Sequence, residues 1–271
     1  MKLKIAHFGK HFGEEPAISG ANGSGTIFFS GCNLHCQFCQ NYQISQEWIG
    51  NDYEISELAD IMLDLQSQDV HNINLVTPTI WIDQIKQAIT VAKEKGLHLP
   101  IVYNTNSCER PGDLEKLKGL IDIYLPDYKY SIDALGEKYS KVKNYSAVAT
   151  QNILEMISQQ PQNIFENDIM QKGVIVRHLI LPNNIQNTLD ALQTIRGFDP
   201  NIIISLMTQY EPLYKAKEIP EINRNITQQE YDQAFEMLLN LDFENGWCQP
   251  IEENASKNLI PDFTKTKPFN Q

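Results

Sequence analysis

The stretch GCNLHCQFCQN, residues 31–41, carries three of the five cysteines of the chain. They are Cys32, Cys36 and Cys39, in the spacing C-x₃-C-x₂-C. A structural zinc ion normally takes four ligands, whereas three thiolates from one loop can bind three irons of a 4Fe-4S cluster and leave the fourth iron open. The count of three therefore predicts such a cluster. Zinc with a distant fourth ligand, or three buried thiols without a metal, are the alternatives.

Composition restricts the class of protein. The 271 residues are 42% hydrophobic, which suffices for the buried core of one large domain or two small ones. With 22 Lys and Arg against 34 Asp and Glu, the net charge is −12, so we do not expect a nucleic-acid partner. The sequence shows neither the apolar segment of a signal peptide nor an apolar run that could span a bilayer. We therefore expect a cytoplasmic protein without a membrane partner, whose thiols stay reduced.

Apolar runs with strand character alternate with segments of helical periodicity. Six such strand–helix units predict an α/β fold with a parallel sheet, either a partial (β/α)₆ TIM-like barrel or a doubly wound sheet. We expect a single domain with an N-terminal arm (1–24), a barrel core (25–242) and a polar C-terminal tail (243–271). The predicted strands are 25–31, 72–78, 100–106, 122–129, 173–182 and 201–210, and the predicted helices are 54–68, 81–95, 112–119, 147–160, 187–197 and 227–242.

Polar residues follow the predicted strands, at the end of a parallel barrel where chemistry takes place. Cys32 follows the first strand, Thr77 the second, and Asp127 and Lys129 the fourth. Since one residue separates Asp127 from Lys129, the two side chains point to the same side of an extended chain. Other polar residues also follow predicted strands: Asn104, Thr105 and Asn106 follow the third strand, and Gln209, Tyr210 and Glu211 follow the sixth.

The cysteine spacing, with the aromatic Phe38 before the last cysteine, resembles the signature of the radical SAM enzymes, whose cysteine loop follows the first strand of a partial (β/α)₆ barrel. The likeness extends beyond this motif. The stretches NINLVTPTI, PIVYNTN, DIYLPDYKY, VRHLILP and LMTQYEP resemble those of proteins homologous to pyruvate formate-lyase activating enzyme, over about residues 7–240.

This resemblance implies cofactors, chemistry and partners. In radical SAM enzymes the open iron binds S-adenosylmethionine (SAM), and one electron from the cluster cleaves SAM to a 5′-deoxyadenosyl radical that abstracts a hydrogen atom. The implied cofactors are a 4Fe-4S cluster and SAM, and the implied reductant is a flavodoxin- or ferredoxin-type protein. The implied substrate is a glycine of a partner glycyl radical enzyme. Radical modification of a small molecule or RNA, or an iron–sulfur or zinc binding module without catalysis, are the alternatives.

The resemblance also implies roles for single side chains. Asp127 would lie at the ribose hydroxyls of SAM and Lys129 at its carboxylate, with a surface ion pair as the alternative. Arg177, in the fifth strand, would lie near SAM or pair with a carboxylate of a neighbouring strand. Thr77 stands where many family members have a Gly-Gly-Glu motif, and Tyr210 where activating enzymes have a histidine. The implied cofactor-binding residues are Phe38, Asn41, Thr77, Asn104, Asp127, Lys129, Arg177 and Tyr210.

Other features are predicted to lie outside this site. His178 should point toward the helices, on the opposite side of its strand from Arg177. Cys108 and Cys248 are predicted to be packing residues. The polar segment 14–25 is predicted to be flexible, and it could line the barrel mouth and bind an extended peptide by backbone hydrogen bonds.

Overall fold

A computed structural model describes residues 2–251 and 260–269 of the chain. Helices surround a curved sheet whose strands are mainly parallel. The strands are β1 (Leu3–His11), β2 (Ser24–Phe29), β3 (Asn51–Tyr53), β4 (Ile73–Val76), β5 (Ile101–Thr105), β6 (Ile123–Pro126), β7 (Ile164–Glu166), β8 (Ile169–Leu179), β9 (Ile203–Met207) and β10 (Asn245–Cys248). The helices are α1 (Pro16–Ser19), α2 (Tyr42–Ser45), α3 (Ile55–Ser67), α4 (Ile82–Glu94), α5 (Asp113–Leu117), α6 (Asp133–Ser140), α7 (Tyr145–Gln159), α8 (Ile185–Arg196) and α9 (Gln228–Asn240).

The six predicted strand–helix units are all present. Their strands lie side by side and parallel, in the order β2-β4-β5-β6-β8-β9. The strands are buried on both faces, which explains why they appear in the sequence as continuous apolar runs. The sheet does not close into a full barrel, which confirms the predicted partial TIM-like fold.

A local sequence signal marks the start of the last helix. Thr227 precedes α9, and its Oγ1 accepts a hydrogen bond from the backbone N–H of Glu230 (3.2 Å). The Glu230 carboxylate accepts one in return from the Thr227 N–H (2.8 Å). This capping box, visible in the sequence, satisfies two backbone donors at the helix start.

The N-terminal arm does not lie outside the sheet. Residues of β1 pair antiparallel with β2, and β3 pairs antiparallel with β1, so both add to the edge of the parallel core. Leu3 and Ile5 of β1 are buried while Lys4 between them is half-buried, an alternation typical of an edge strand. Five further elements were also missing from the prediction: the short helices α1 and α2, helix α6, and strands β7 and β10.

The segment after β1 fills the inside of the barrel. Ala17 and Ile18 of α1 are buried against apolar side chains that point inward from the strands, among them Val102, Ile123 and Ile175. The prediction of a flexible segment 14–25 that could bind a peptide is therefore wrong. Its apolar residues pack into the open amino end of the barrel, because six strands leave an interior that needs filling.

The C-terminal tail also contributes to the fold. Strand β10 pairs parallel with β9 at the far edge of the sheet. Residues 260–269 return to the opposite edge, where Phe263 and Phe269 contact Phe28 with ring centroids 5.5 and 5.2 Å apart. Residues 252–259 lie outside the described part of the chain. Within the described part, no helix is long and apolar enough to cross a bilayer.

Candidate active site

The cysteine loop begins where β2 ends, at the carboxyl edge of the parallel strands. Gly31 starts the loop with φ of 83°, a left-handed conformation that favours glycine, and a side chain there would collide with Trp48 and Ile80. Its backbone N–H donates to the Ile44 carbonyl (2.9 Å), which fixes the start of the loop against α2. The sharp turn directs the following cysteines over the barrel mouth.

The three thiols are free and line one cavity. Each sulfur has polar neighbours. Asn106 Nδ2 and the Leu34 N–H both donate to Cys32 Sγ (3.4 Å), Ser140 Oγ donates to Cys36 Sγ (3.0 Å), and Ser45 Oγ lies 3.3 Å from Cys39 Sγ. Such contacts to the sulfurs are typical of iron–sulfur sites, where they tune the bound group.

Burial raises the pKa of the Cys32 thiol to about 11 and that of Cys39 to about 12. Burial likewise raises the pKa of Cys36. Three thiols that resist ionisation so strongly become thiolates only when cations compensate their charge. This chemistry fits a metal cluster, and it does not suit cysteines that react as free nucleophiles.

The ligand geometry also bears on the zinc alternative. Among residues 2–251 and 260–269, no three His, Cys, Asp or Glu side chains converge closely enough to hold a single metal ion. A four-iron cluster needs no such convergence, because its three thiolates bind three different irons. The three thiols are therefore compatible with a cluster in which each of them binds a different iron.

Asp127, Lys129 and Arg177 form a buried ion-pair network beside the thiols. Lys129 Nζ lies 2.6 Å from Asp127 Oδ2, and Arg177 Nε lies 2.9 Å from Asp127 Oδ1. Burial alone would raise the pKa of Asp127, but the charges of Arg177 and Lys129 outweigh it, so the pKa of this carboxyl lies below its ordinary value. The side chains are less than a quarter exposed, which excludes the predicted alternative of a surface ion pair.

Glu14 is a site residue that the sequence prediction missed. Its carboxylate lies 3.3 Å from Arg177 NH1 and accepts a hydrogen bond from Asn74 Nδ2 (3.0 Å). Asn104 contacts both groups, since its Nδ2 donates to Glu14 (3.3 Å) and its Oδ1 accepts from Arg177 NH2 (2.6 Å). Burial raises the pKa of Glu14 above its ordinary value. The adjacent acidic pair Glu14 and Glu15, before a small-residue segment, was the only sequence signal for this insertion.

Thr77 has an unusual backbone conformation. Its φ is 58°, in the left-handed region that is strained for a β-branched residue, and its N–H donates to the Asn104 carbonyl (3.1 Å). Strain of this kind concentrates at functional sites. A glycine would adopt this conformation without strain.

The remaining predicted residues divide into two groups. Phe38 and Asn41 line the cavity with the thiols. Tyr210 does not line it: its hydroxyl donates to the Ile222 carbonyl (2.7 Å), and its ring lies behind Phe38 with centroids 5.7 Å apart. The structure thus places Tyr210 as a support for Phe38, and direct contact of Tyr210 with a ligand is not favoured.

The cavity itself has a volume of about 250 Å³. Part of its wall is aromatic, because the His11 ring lies 4.5 Å from Phe269 and 5.8 Å from Phe28, measured between centroids. Burial lowers the pKa of His11 to about 4, so this wall is uncharged at neutral pH. Of the predicted residues, the cavity is lined by Cys32, Cys36, Cys39, Phe38, Asn41, Thr77, Asn104, Asp127, Lys129 and Arg177.

Three residues predicted to be structural lie outside the cavity. His178 is fully buried; its Nδ1 lies 2.6 Å from the Tyr128 carbonyl and its Nε2 3.0 Å from Thr188 Oγ1. Cys108 is buried in the main core and Cys248 packs against its edge. Neither cysteine is among the residues that line the cavity.

Comparison with known proteins identifies the family. A model of the radical SAM superfamily matches residues 26–183, more than half of the chain. The chain belongs to the radical SAM superfamily. The uncharacterized protein MJ0674 of Methanocaldococcus jannaschii is 33% identical over 238 residues, which are 84% of this chain and 64% of that protein. The chain thus spans less than two thirds of the length of this curated relative.

Solved structures show the same fold at low identity. SuiB of Streptococcus suis, bound to the precursor peptide SuiA, has a TM-score of 0.58 at 10% identity, covering 86% of this chain and 49% of SuiB. TYW1 with a lysine-pyruvate adduct bound has a TM-score of 0.50 at 11% identity, covering 89% of this chain and 81% of that one. At these identities the likeness is one of fold alone.

Radical SAM proteins use a 4Fe-4S cluster and SAM. The described residues fit both cofactors. The three thiols with their polar neighbours suit the cluster, and Lys129 beside them offers an ammonium group to a carboxylate. Burial lowers the pKa of Lys129, but the nearby Asp127 and Cys36 outweigh it, so its pKa is raised and its charge is kept.

Proposed function

We propose that this chain is a radical SAM enzyme that removes a hydrogen atom from a glycine of a partner protein, as activating enzymes do. One observation carries the proposal: the three free thiols and the Asp127–Lys129–Arg177 network open onto one cavity. The reduced cluster and SAM, when bound, supply the radical that abstracts the hydrogen.

The side chains of this chain bind and orient the cofactors. Lys129 pairs with the SAM carboxylate, and Asp127 keeps the Lys129 ammonium charged and points it toward the thiols. Arg177 fixes Asp127 from the other side through Nε. Phe38 contributes an apolar face for the adenine, supported from behind by Tyr210. The apolar side chains in the cavity wall, among them Phe28, Leu34 and Leu179, limit the access of water to the radical.

Glycine suits such a site for chemical reasons. Its Cα radical is stabilised by the flanking amides, and it has no side chain to block approach in a cavity of about 250 Å³. The resemblance of the sequence to activating enzymes supports this substrate. The solved complex of SuiB with a precursor peptide supports it further, because there a protein of the same fold binds a peptide.

The test is anaerobic reconstitution of the iron–sulfur cluster followed by reduction in the presence of SAM. Release of 5′-deoxyadenosine is the expected first result, and a doublet EPR signal is expected when a glycyl radical protein is added. Cys36→Ala should abolish both signals, whereas Cys108→Ala, a matched change of a cysteine outside the cavity, should retain them. Normal 5′-deoxyadenosine release without a glycyl radical on any candidate would contradict the glycine substrate.

A small-molecule substrate is the second candidate, and one observation favours it. Phe269 from the C-terminal tail and His11 from β1 form an aromatic part of the cavity wall. A protein loop would have to pass this aromatic wall, whereas a small planar molecule could pack against it. Stimulation of 5′-deoxyadenosine release by a small molecule, and not by a glycyl radical protein, would establish this candidate.

A further inference from the structure

The outer side of the cysteine loop is covered by two surface segments. The Gln37 N–H donates to the Tyr139 carbonyl at the end of α6 (2.7 Å), and the Gln37 carbonyl accepts from the Ala216 N–H (2.8 Å). Ala216 lies in a 3₁₀ helix, Tyr214–Glu218. The cysteine loop, the end of α6 and this 3₁₀ helix therefore form one continuous surface above the thiols.

This surface is basic in a strongly acidic protein. Segments 137–143 and 214–221 contain five lysines and three glutamates, a net charge of +2, although the whole chain carries −12. The rest of the chain therefore has a net charge of −14. We call the five residues the lysine surface: Lys138, Lys141, Lys143, Lys215 and Lys217, all of them exposed.

The lysines keep much of their charge available. Lys138 is ion-paired with Glu221, and Lys143 Nζ lies 3.8 Å from Glu137. Lys141 Nζ instead donates to a backbone carbonyl, that of Lys138 (3.2 Å), and Lys215 Nζ lies 5.2 Å from the centre of the Tyr214 ring. Neither of these two contacts neutralises an ammonium group.

The lysine surface lies next to one thiol. Ser140 Oγ donates to Cys36 Sγ (3.0 Å), and the Ser140 carbonyl accepts from the His35 N–H (3.0 Å). Lys141 directly follows Ser140 in the chain. A single residue therefore separates the Cys36 side of the cluster site from the exposed lysines. Because electron transfer slows steeply with distance, this is a favourable place for electrons to enter.

We propose that the lysine surface is the docking site of the electron donor, and that the donor is a small acidic electron-transfer protein of the flavodoxin or ferredoxin kind. The donor loses one electron and the cluster gains it; no bond or proton changes place. Opposite charges increase the association rate and orient the donor toward Cys36. The inference rests on the cluster at the three cysteines and is independent of the substrate.

The test compares two double variants that change the net charge equally. Lys141→Glu/Lys215→Glu reverses two charges of the lysine surface. Lys93→Glu/Lys172→Glu reverses two exposed lysines near the amino ends of the strands, away from the cysteine loop. Cluster reduction is followed anaerobically by stopped-flow absorbance, with reduced flavodoxin as the donor and, separately, with dithionite.

At low ionic strength, the Lys141/Lys215 variant should react with flavodoxin about tenfold more slowly or worse, and added salt should reduce the difference. Its reduction by dithionite should not change. The binding of oxidised flavodoxin to the cluster-free protein, measured by NMR shifts of labelled flavodoxin, should weaken in parallel. The Lys93/Lys172 variant should show much smaller effects in both assays.

If the rate of reduction by flavodoxin fell equally in the two variants, only the overall charge of the protein would matter. If the rate did not change in the Lys141/Lys215 variant, the docking site would lie elsewhere. Either result would overturn the proposal. Neither would affect the proposed function, because 5′-deoxyadenosine formation with dithionite tests that function without a protein donor.

Discussion

Replacement of Lys129 by Met distinguishes a ligand-binding role from a structural one. Met keeps an apolar stem of similar length but removes the ammonium group, which donates to Asp127 (2.6 Å) at the mouth of the thiol cavity. A hydrogen bond to a charged group contributes about 1.5–3 kcal/mol. If Lys129 pairs with the SAM carboxylate, the dissociation constant of SAM should therefore rise about 10- to 150-fold.

The fold should tolerate this change, since Asp127 keeps Arg177 as a partner (2.9 Å). Arg177→Met provides the contrast, because it removes the cation that pairs with Glu14 and also one of the two cations that pair with Asp127. Loss of one partner from a buried ion pair costs about 3–5 kcal/mol, so this variant should be much less stable. Isothermal titration with SAM on the cluster-loaded protein and urea denaturation measure the two quantities.

One combination of results would refute the assignment. If Lys129→Met bound SAM as tightly as the unchanged protein but lost about 3 kcal/mol of unfolding free energy, Lys129 would be a structural partner of Asp127. The reasoning from the cavity would then fail, because it requires the ammonium group to face the ligand.

Three further predictions concern other parts of the site. Cys36→Ala should abolish the visible absorbance of the reconstituted cluster, whereas Cys108→Ala should retain it. Phe269→Ala removes ring contacts to His11 and Phe28, so it should lower the unfolding free energy by about 1 kcal/mol in urea denaturation and leave cluster absorbance unchanged. Burial lowers the pKa of His11 and His178 to about 4, whereas a histidine in the unfolded chain has a pKa of ~6.5. Between pH 4 and pH 6.5, the unfolded chain therefore binds more protons than the folded protein. Urea denaturation at a series of pH values should show that the free energy of unfolding falls as the pH drops from about 6.5 to 4, by up to about 3 kcal/mol per histidine. In His11→Phe this free energy should fall less steeply.

The central strands and helices could be predicted because their signals are local. The continuous apolar runs of β4, β5 and β6, and the capping box at Thr227, do not depend on distant contacts. The cysteine spacing likewise predicted a shared site, since it lies within one loop. The proximity of Asp127 and Lys129 could also be predicted, because side chains two residues apart in an extended chain point to the same side.

Other features depend on contacts that sequence spacing does not reveal. Glu14 contacts Arg177 across 163 positions of the chain, and its local sequence, an acidic pair before small residues, does not specify where in the barrel it lies. Phe269 reaches His11 from the opposite terminus for the same reason. The sequence predicted a flexible N-terminal segment and a polar C-terminal tail. In the structure, the N-terminal segment fills the open amino end of the partial barrel, and residues 260–269 cover an edge of the sheet.

The buried charges connect the N-terminal segment to the chemistry of the site. Glu14, Glu15 and Asp127 are three acidic groups, and they share a buried region with two cations, Lys129 and Arg177. Burial raises the pKa of both glutamates, while the charges of Arg177 and Lys129 lower the pKa of Asp127. The segment that fills the barrel therefore also sets the charge beside the thiol cavity: Glu14 pairs with Arg177, Arg177 with Asp127, and Asp127 with Lys129. Under the proposed role of Lys129 at the SAM carboxylate, a displacement of the N-terminal segment would change SAM binding through these three contacts.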